Sequence, residues 1–89
     1  LKYLVHHTYG NAEYDSNLVA TKEQAEQAMM ALAQQVLTER PKTSVISQSI
    51  DRIELSTAVN LPRTDESGNV AFYPGAMRSV FEVREAPDA

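Results

Sequence analysis

The chain has 89 residues, a formal net charge of −4 and no cysteine. That length makes one small domain, and 43% apolar residues give it a core and set it apart from disordered chains. Without thiols it has no disulfide, thiolate metal site or cysteine nucleophile, and its acidic balance argues against broad nucleic-acid binding, which needs a basic surface.

Residues 1–9 read as a strand. Leu1, Tyr3, Val5, His7 and Tyr9 fall on one face, and Lys2, Leu4, His6 and Thr8 on the other. This opening lacks the long apolar run and small-residue cleavage site of a signal peptide. Gly10-Asn11 marks a turn. Residues 12–17 are polar and read as a loop or a short edge segment, and Leu18-Val19-Ala20 leads into a helix.

That helix, residues 21–40, carries the clearest signals in the chain. Thr21-Lys22-Glu23-Gln24 matches a capping box, in which the Thr21 hydroxyl accepts from the Gln24 N–H and the Gln24 side chain reaches back. Glu23 and Glu26 suit the positive end of the helix dipole. The interior has no Gly or Pro, and Pro41 ends the helix by disfavouring the α conformation at Arg40. Ala25, Ala28, Met29, Leu32 and Val36 share one stripe, which Met30, Ala33 and Leu37 extend round one flank. The arc covers about half the circumference, wider than the ~100° needed to sit on one sheet. The polar remainder is mostly glutamine, and no Lys or Arg occurs between Glu23 and Glu39, whereas a freely solvated face usually carries mixed charge.

After Pro41, residues 43–59 are the longest β-like stretch. Its apolar parity changes between Ile50 and Ile53, which a bulge or kink near Asp51-Arg52 would explain; two shorter strands are the alternative. Residues 61–69, rich in Pro, Gly, Asn and Asp, read as a long hairpin connection. Residues 70–73 pair back across it, Pro74-Gly75 signals a turn or bulge, and residues 77–85 form the last strand. The expected fold is α+β: a two-layer sandwich of one long helix on a three- to four-stranded, mainly antiparallel sheet, in the order β-α-β-β, with the last strand allowed to split. Residues 1–86 make the single domain and 87–89 a frayed tail.

No motif points to catalysis. His6 and His7 are adjacent on a strand and face opposite ways, so they cannot chelate one metal together; a site would need Glu13 or Asp15 as well. No serine lies in a Gly-x-Ser-x-Gly elbow, and the glycine-containing stretch 68–75 lacks the lysine and following helix of a phosphate loop. The sequence calls for no cofactor and no metal. It is read as a non-enzymatic, cytoplasmic protein–protein interaction domain, an accessory or inhibitory factor that forms a homodimer or binds a larger protein. The candidate contact residues are Gln27, Met30, Gln34 and Leu37 on the helix flank, then Tyr14 and Arg63 on loops. The alternative is a module that binds a small ligand or nucleic acid on an open sheet face near Lys2, His6, Arg78 and Arg84; a third is an enzyme using His6 or His7 at a subunit boundary. No window approaches the ~18 consecutive apolar residues of a membrane span.

Overall fold

The structure, a computed structural model, describes residues 1–87. In chain order the elements are β1 (Lys2–Tyr9), β2 (Ala12–Asp15), α1 (Lys22–Glu39), β3 (Thr43–Gln48), β4 (Arg52–Thr64) and β5 (Val70–Ala86). The strands form one five-stranded sheet in the order β2-β1-β5-β4-β3, every neighbouring pair antiparallel. The class is α+β, with one helix among the described residues, as the sequence implies. The strand number is five rather than three to four, and the order is β-β-α-β-β-β. Of the expected tail, Pro87 has no regular structure, and Asp88 and Ala89 lie outside the described residues.

The differences have local causes. The polar segment after Gly10-Asn11 folds back on β1, pairing Ala12 with Tyr9 and Asp15 with His6. Gly10 opens the two-residue turn at φ 58°, the left-handed region in which only glycine sits without cost. Polar side chains suit β2 because it is an edge strand. The parity break in the 43–59 stretch is a hairpin between two strands, in keeping with the two-strand alternative rather than a bulged single strand: the Ser49 N–H donates to the Arg52 carbonyl at 2.8 Å, and the Ser49 hydroxyl donates to the Asp51 carboxylate at 3.1 Å. A separate register shift between Val45 and Ser47 bulges Ile46 out of β3.

The expected 61–69 connection is shorter than read: residues 61–64 belong to β4, and 65–69 remain as the connection. Leu61, Pro62, Arg63 and Thr64 pair with Tyr73, Phe72, Ala71 and Val70. Only the connection through Gly68 is a turn, closed by the Asp65 side chain, which accepts from the Ser67 and Asn69 N–H groups at 2.9 Å each. Pro74-Gly75 does not break β5, which runs unsplit to Ala86. The Ala58 N–H turns outward to the Lys42 carbonyl at 3.1 Å. Antiparallel alternation from there puts Pro62, and Pro74 opposite Asn60, in the outward-facing class, so neither proline costs a ladder bond.

Beyond the Tyr9–Ser79 and Thr43–Thr57 pairs, β4 and β5 have, among the described residues, only each other as sheet neighbours. They project as a two-stranded arm, and the molecule measures 55 × 28 × 18 Å.

The core lies between α1 and one face of the sheet. Val5, Ile53, Leu55 and Phe81 meet Ala25, Met29 and Ala33 of the helix, with Tyr3, Leu32, Val36, Leu37 and Val83 at the rim. Alanines at two of the three buried helix positions let the backbone approach the sheet closely. The capping box forms as read: Gln24 N–H to the Thr21 hydroxyl at 3.2 Å, and Thr21 N–H to the Gln24 side-chain carbonyl at 3.2 Å. At the other end the Arg40 N–H donates to the Val36 carbonyl, and its guanidinium lies 4.3 Å over the Tyr9 ring. The helix therefore runs alongside β1, from its Tyr3–Val19 bridge to Tyr9.

Candidate functional site

α1 packs across β1, β5 and β4 and only grazes the edge strand β3. The gap it leaves is a groove. Its wide end, a depression of about 650 Å³, is lined by Glu23, Glu26, Gln27 and Met30 from the helix and by Gln48, Ser49 and Ile50 from the β3–β4 turn. Its narrow end, about 90 Å³, lies among Met30, Gln34, Leu37 and Val45, with Ile53 and Leu55 beneath. Met30 lines both ends and is 56% exposed; Ile50 is 72% exposed.

Four of the residues singled out from the sequence, Gln27, Met30, Gln34 and Leu37, thus line one groove. Leu37 is shared with the core, against which it packs. Tyr14 and Arg63 lie elsewhere, and both are on strands rather than loops. Tyr14 is exposed on β2, at the opposite sheet edge, with its ring 5.8 Å from that of His7. Arg63 is on the arm, 5.6 Å over Tyr73. Sequence reasoning does not pick out Ile50 and Val45, which it reads as apolar positions of the 43–59 β-like stretch. It also misses the arm, where Leu61, Val70, Phe72 and Tyr73 are all exposed.

The sheet face away from α1 carries a ladder of matched charges. Arg52 contacts Glu54 at 3.1 Å and Glu82 at 3.5 Å, Arg84 contacts Glu82 at 2.9 Å, and Arg78 reaches Glu54 at 4.0 Å. His6 lies on the same face between Asp15, 2.6 Å from its Nδ1, and Glu13, 3.7 Å from its Nε2. Each arginine of this face is therefore already beside a carboxylate, which lowers its appeal to a phosphate. Among the described residues no group of three or more His, Asp or Glu side chains has the arrangement to hold a metal ion.

His7 faces the other way, as strand alternation requires, and stacks on Phe81 with ring centroids 4.1 Å apart. Burial, and then the positive charges of Arg40 and His6, hold it below the ordinary histidine value. Its Nε2 is buried and has no hydrogen-bond partner among the described residues, which suits the neutral ring. An unfolded His7 takes up its proton near pH ~6.5, whereas the folded one resists until lower pH. The folded state is then favoured above that value and loses stability as pH falls through the window between the two. Thermal midpoints measured at about pH 7.5 and about pH 5.5 should differ, and His7→Phe, which keeps the ring stack, should shrink the difference. An unchanged pH dependence in that variant would refute the assignment.

Among the described residues no helix is long and apolar enough to cross a membrane. No family model, curated protein or solved structure matches this chain.

Proposed function

We propose that this chain is a non-enzymatic protein–protein interaction domain, an accessory or inhibitory factor that uses the α1–β3 groove to self-associate or to bind a larger protein. The observation that carries the reading is Met30, exposed in the middle of a groove, flanked on the helix wall by Gln27 and Gln34 and faced across it by Val45 and Ile50. Methionine adapts to irregular partner surfaces. The glutamines can hydrogen-bond a partner without the desolvation cost of a charge. A cytoplasmic setting belongs to the same proposal and rests on the absence of cysteine.

Capture from an extract of the source cells tests it, with tagged wild type set against tagged Met30→Glu and an untagged copy of the chain added to both. Met30 is exposed, so the variant should keep the wild-type thermal midpoint. Wild type should retain a protein, its own untagged copy included, that the variant retains at least about tenfold less, the loss expected from burying a charge at a contact centre. Equal retention by the two proteins would end the proposal.

A further inference from the structure

We infer that the groove of each chain receives the β4–β5 arm of a second copy, the two arms being exchanged across a two-fold axis. This rests on the interaction reading above and names the partner.

Shape is the first argument. At 1.5 Å per residue α1 is about 27 Å long, and at 3.4 Å per residue the eight residues of β1 are as long. The arm, from Thr57 to Thr64, adds about 24 Å, and its turn completes the 55 Å length of the molecule. Body and arm are therefore equal in length. They are unequal in thickness, because the body carries the helix layer and the arm is bare sheet. The chain has the outline of a step. A two-fold axis at the riser sets each thin arm over the other chain's helix, and the contact closes on itself without leaving a repeat open for polymerisation.

Polarity is the second. The arm leaves the sheet at the Tyr9–Ser79 end, where α1 finishes at Arg40. In the two-fold pair the tip of each arm consequently lies at the start of the partner's helix. Arg63, near the tip, then comes opposite Glu23 and Glu26, the acidic end of the groove. Nearer the riser, Leu61 and Tyr73 come opposite the uncharged middle of the helix, around Met30 and Gln34.

The arm presents a suitable face. Strand alternation carries the helix side of the sheet, marked by Ile53, Leu55 and Phe81, out along the arm to Leu61, Arg63 and Tyr73. Leu61 lies flat across Gly75, where a Cβ would collide with its Cδ1, so this part of the face is smooth. The outer edges are less suited to pairing, since Pro62 and Pro74 each remove an outward N–H. Association through the face, not by strand addition, follows. Two strands make a face about 10 Å wide and about 24 Å long; counted on both sides of two equivalent contacts this is about 1,000 Å², the size at which specific interfaces begin.

Light scattering across a dilution series decides the matter, with Leu61→Asp as the arm variant and Met30→Glu as the groove variant, both folded by circular dichroism. Wild type should weigh twice 9.9 kDa, and each variant alone should be a monomer. An equimolar mixture of the two variants should recover a dimer, because the mixed pair keeps one contact in which arm and groove are both intact. Arg63→Glu should weaken the dimer about tenfold, and Glu23→Arg with Glu26→Arg in the same chain should restore it. A monomeric wild type overturns the inference and leaves the groove to a different protein. A dimer that survives Leu61→Asp but not Met30→Glu removes the arm as occupant and keeps the groove. A dimer that survives Met30→Glu removes both the inference and the reading beneath it, and a mixture that stays monomeric removes the exchange.

Discussion

Phe81→Ala is expected to lower the unfolding free energy by about 3–5 kcal/mol, the range for deleting a fully buried aromatic ring. Phe81 has no exposed surface. It lies on the central strand of the sheet, between Ile53 on β4 and His7 on β1, with the His7 ring stacked on its own. Removing it forfeits the transfer energy of the ring and leaves a cavity that three strands and a helix border. A domain of this size has roughly 4–13 kcal/mol in total, so the variant should lose much of its stability. Urea denaturation reads this as a fall in midpoint. Phe72→Ala supplies the contrast. It removes the same side chain from the same strand, but Phe72 is 67% exposed on the arm, and the cost to the monomer should stay within about 0.5 kcal/mol. Similar losses from the two would mean that the arm belongs to the folding unit.

Excision of the arm should separate association from folding. Removing residues 60–74 and joining Val59 to Gly75 through an Asn-Gly turn shortens the β4–β5 hairpin without changing its register. From Ala58 to Arg78 no residue is fully buried, so the core of Val5, Met29, Leu55 and Phe81 is left whole. The shortened chain should unfold cooperatively, with a thermal midpoint within about 5 °C of that of the intact monomer. By light scattering it should weigh as a monomer at every concentration. Collapse of the cooperative transition would show that the arm supports the body; a surviving dimer would place the contact elsewhere.

The helix was legible because its signals are local. A capping box, an uninterrupted run of helix formers and a following proline define its ends to within a residue, and the faces of β1 follow from simple alternation. The hairpin between β3 and β4 was not, because its turn, Ser49-Ile50-Asp51, contains no Gly, Pro or Asn and is held by the Ser49 side chain. Its only trace was a shift in apolar parity, which a bulge produces equally well. The arm was misread for a different reason. Pro62, Pro74 and Gly75 read as breakers only if both edges of a strand need their N–H groups, and composition does not reveal that the outer edges here are bare. The groove was half legible: the width of the apolar arc picked out Met30 and its neighbours, while the opposite wall depended on Ile50, whose place in a turn no window of sequence displays. Tyr14 and Arg63, whose polar surroundings in the sequence point to loops, stand on strands away from that groove.

The pairing of Lys2 with Ala86 has a consequence for synthesis. β5 is the strand on which β1 and β4 both lean, and it follows every other described element in the chain. Until it is made the β1–β2 hairpin and α1 have no central strand to cover, and their apolar faces are open to the crowded surroundings. The sheet of the body therefore cannot be completed until residue 86 has been translated.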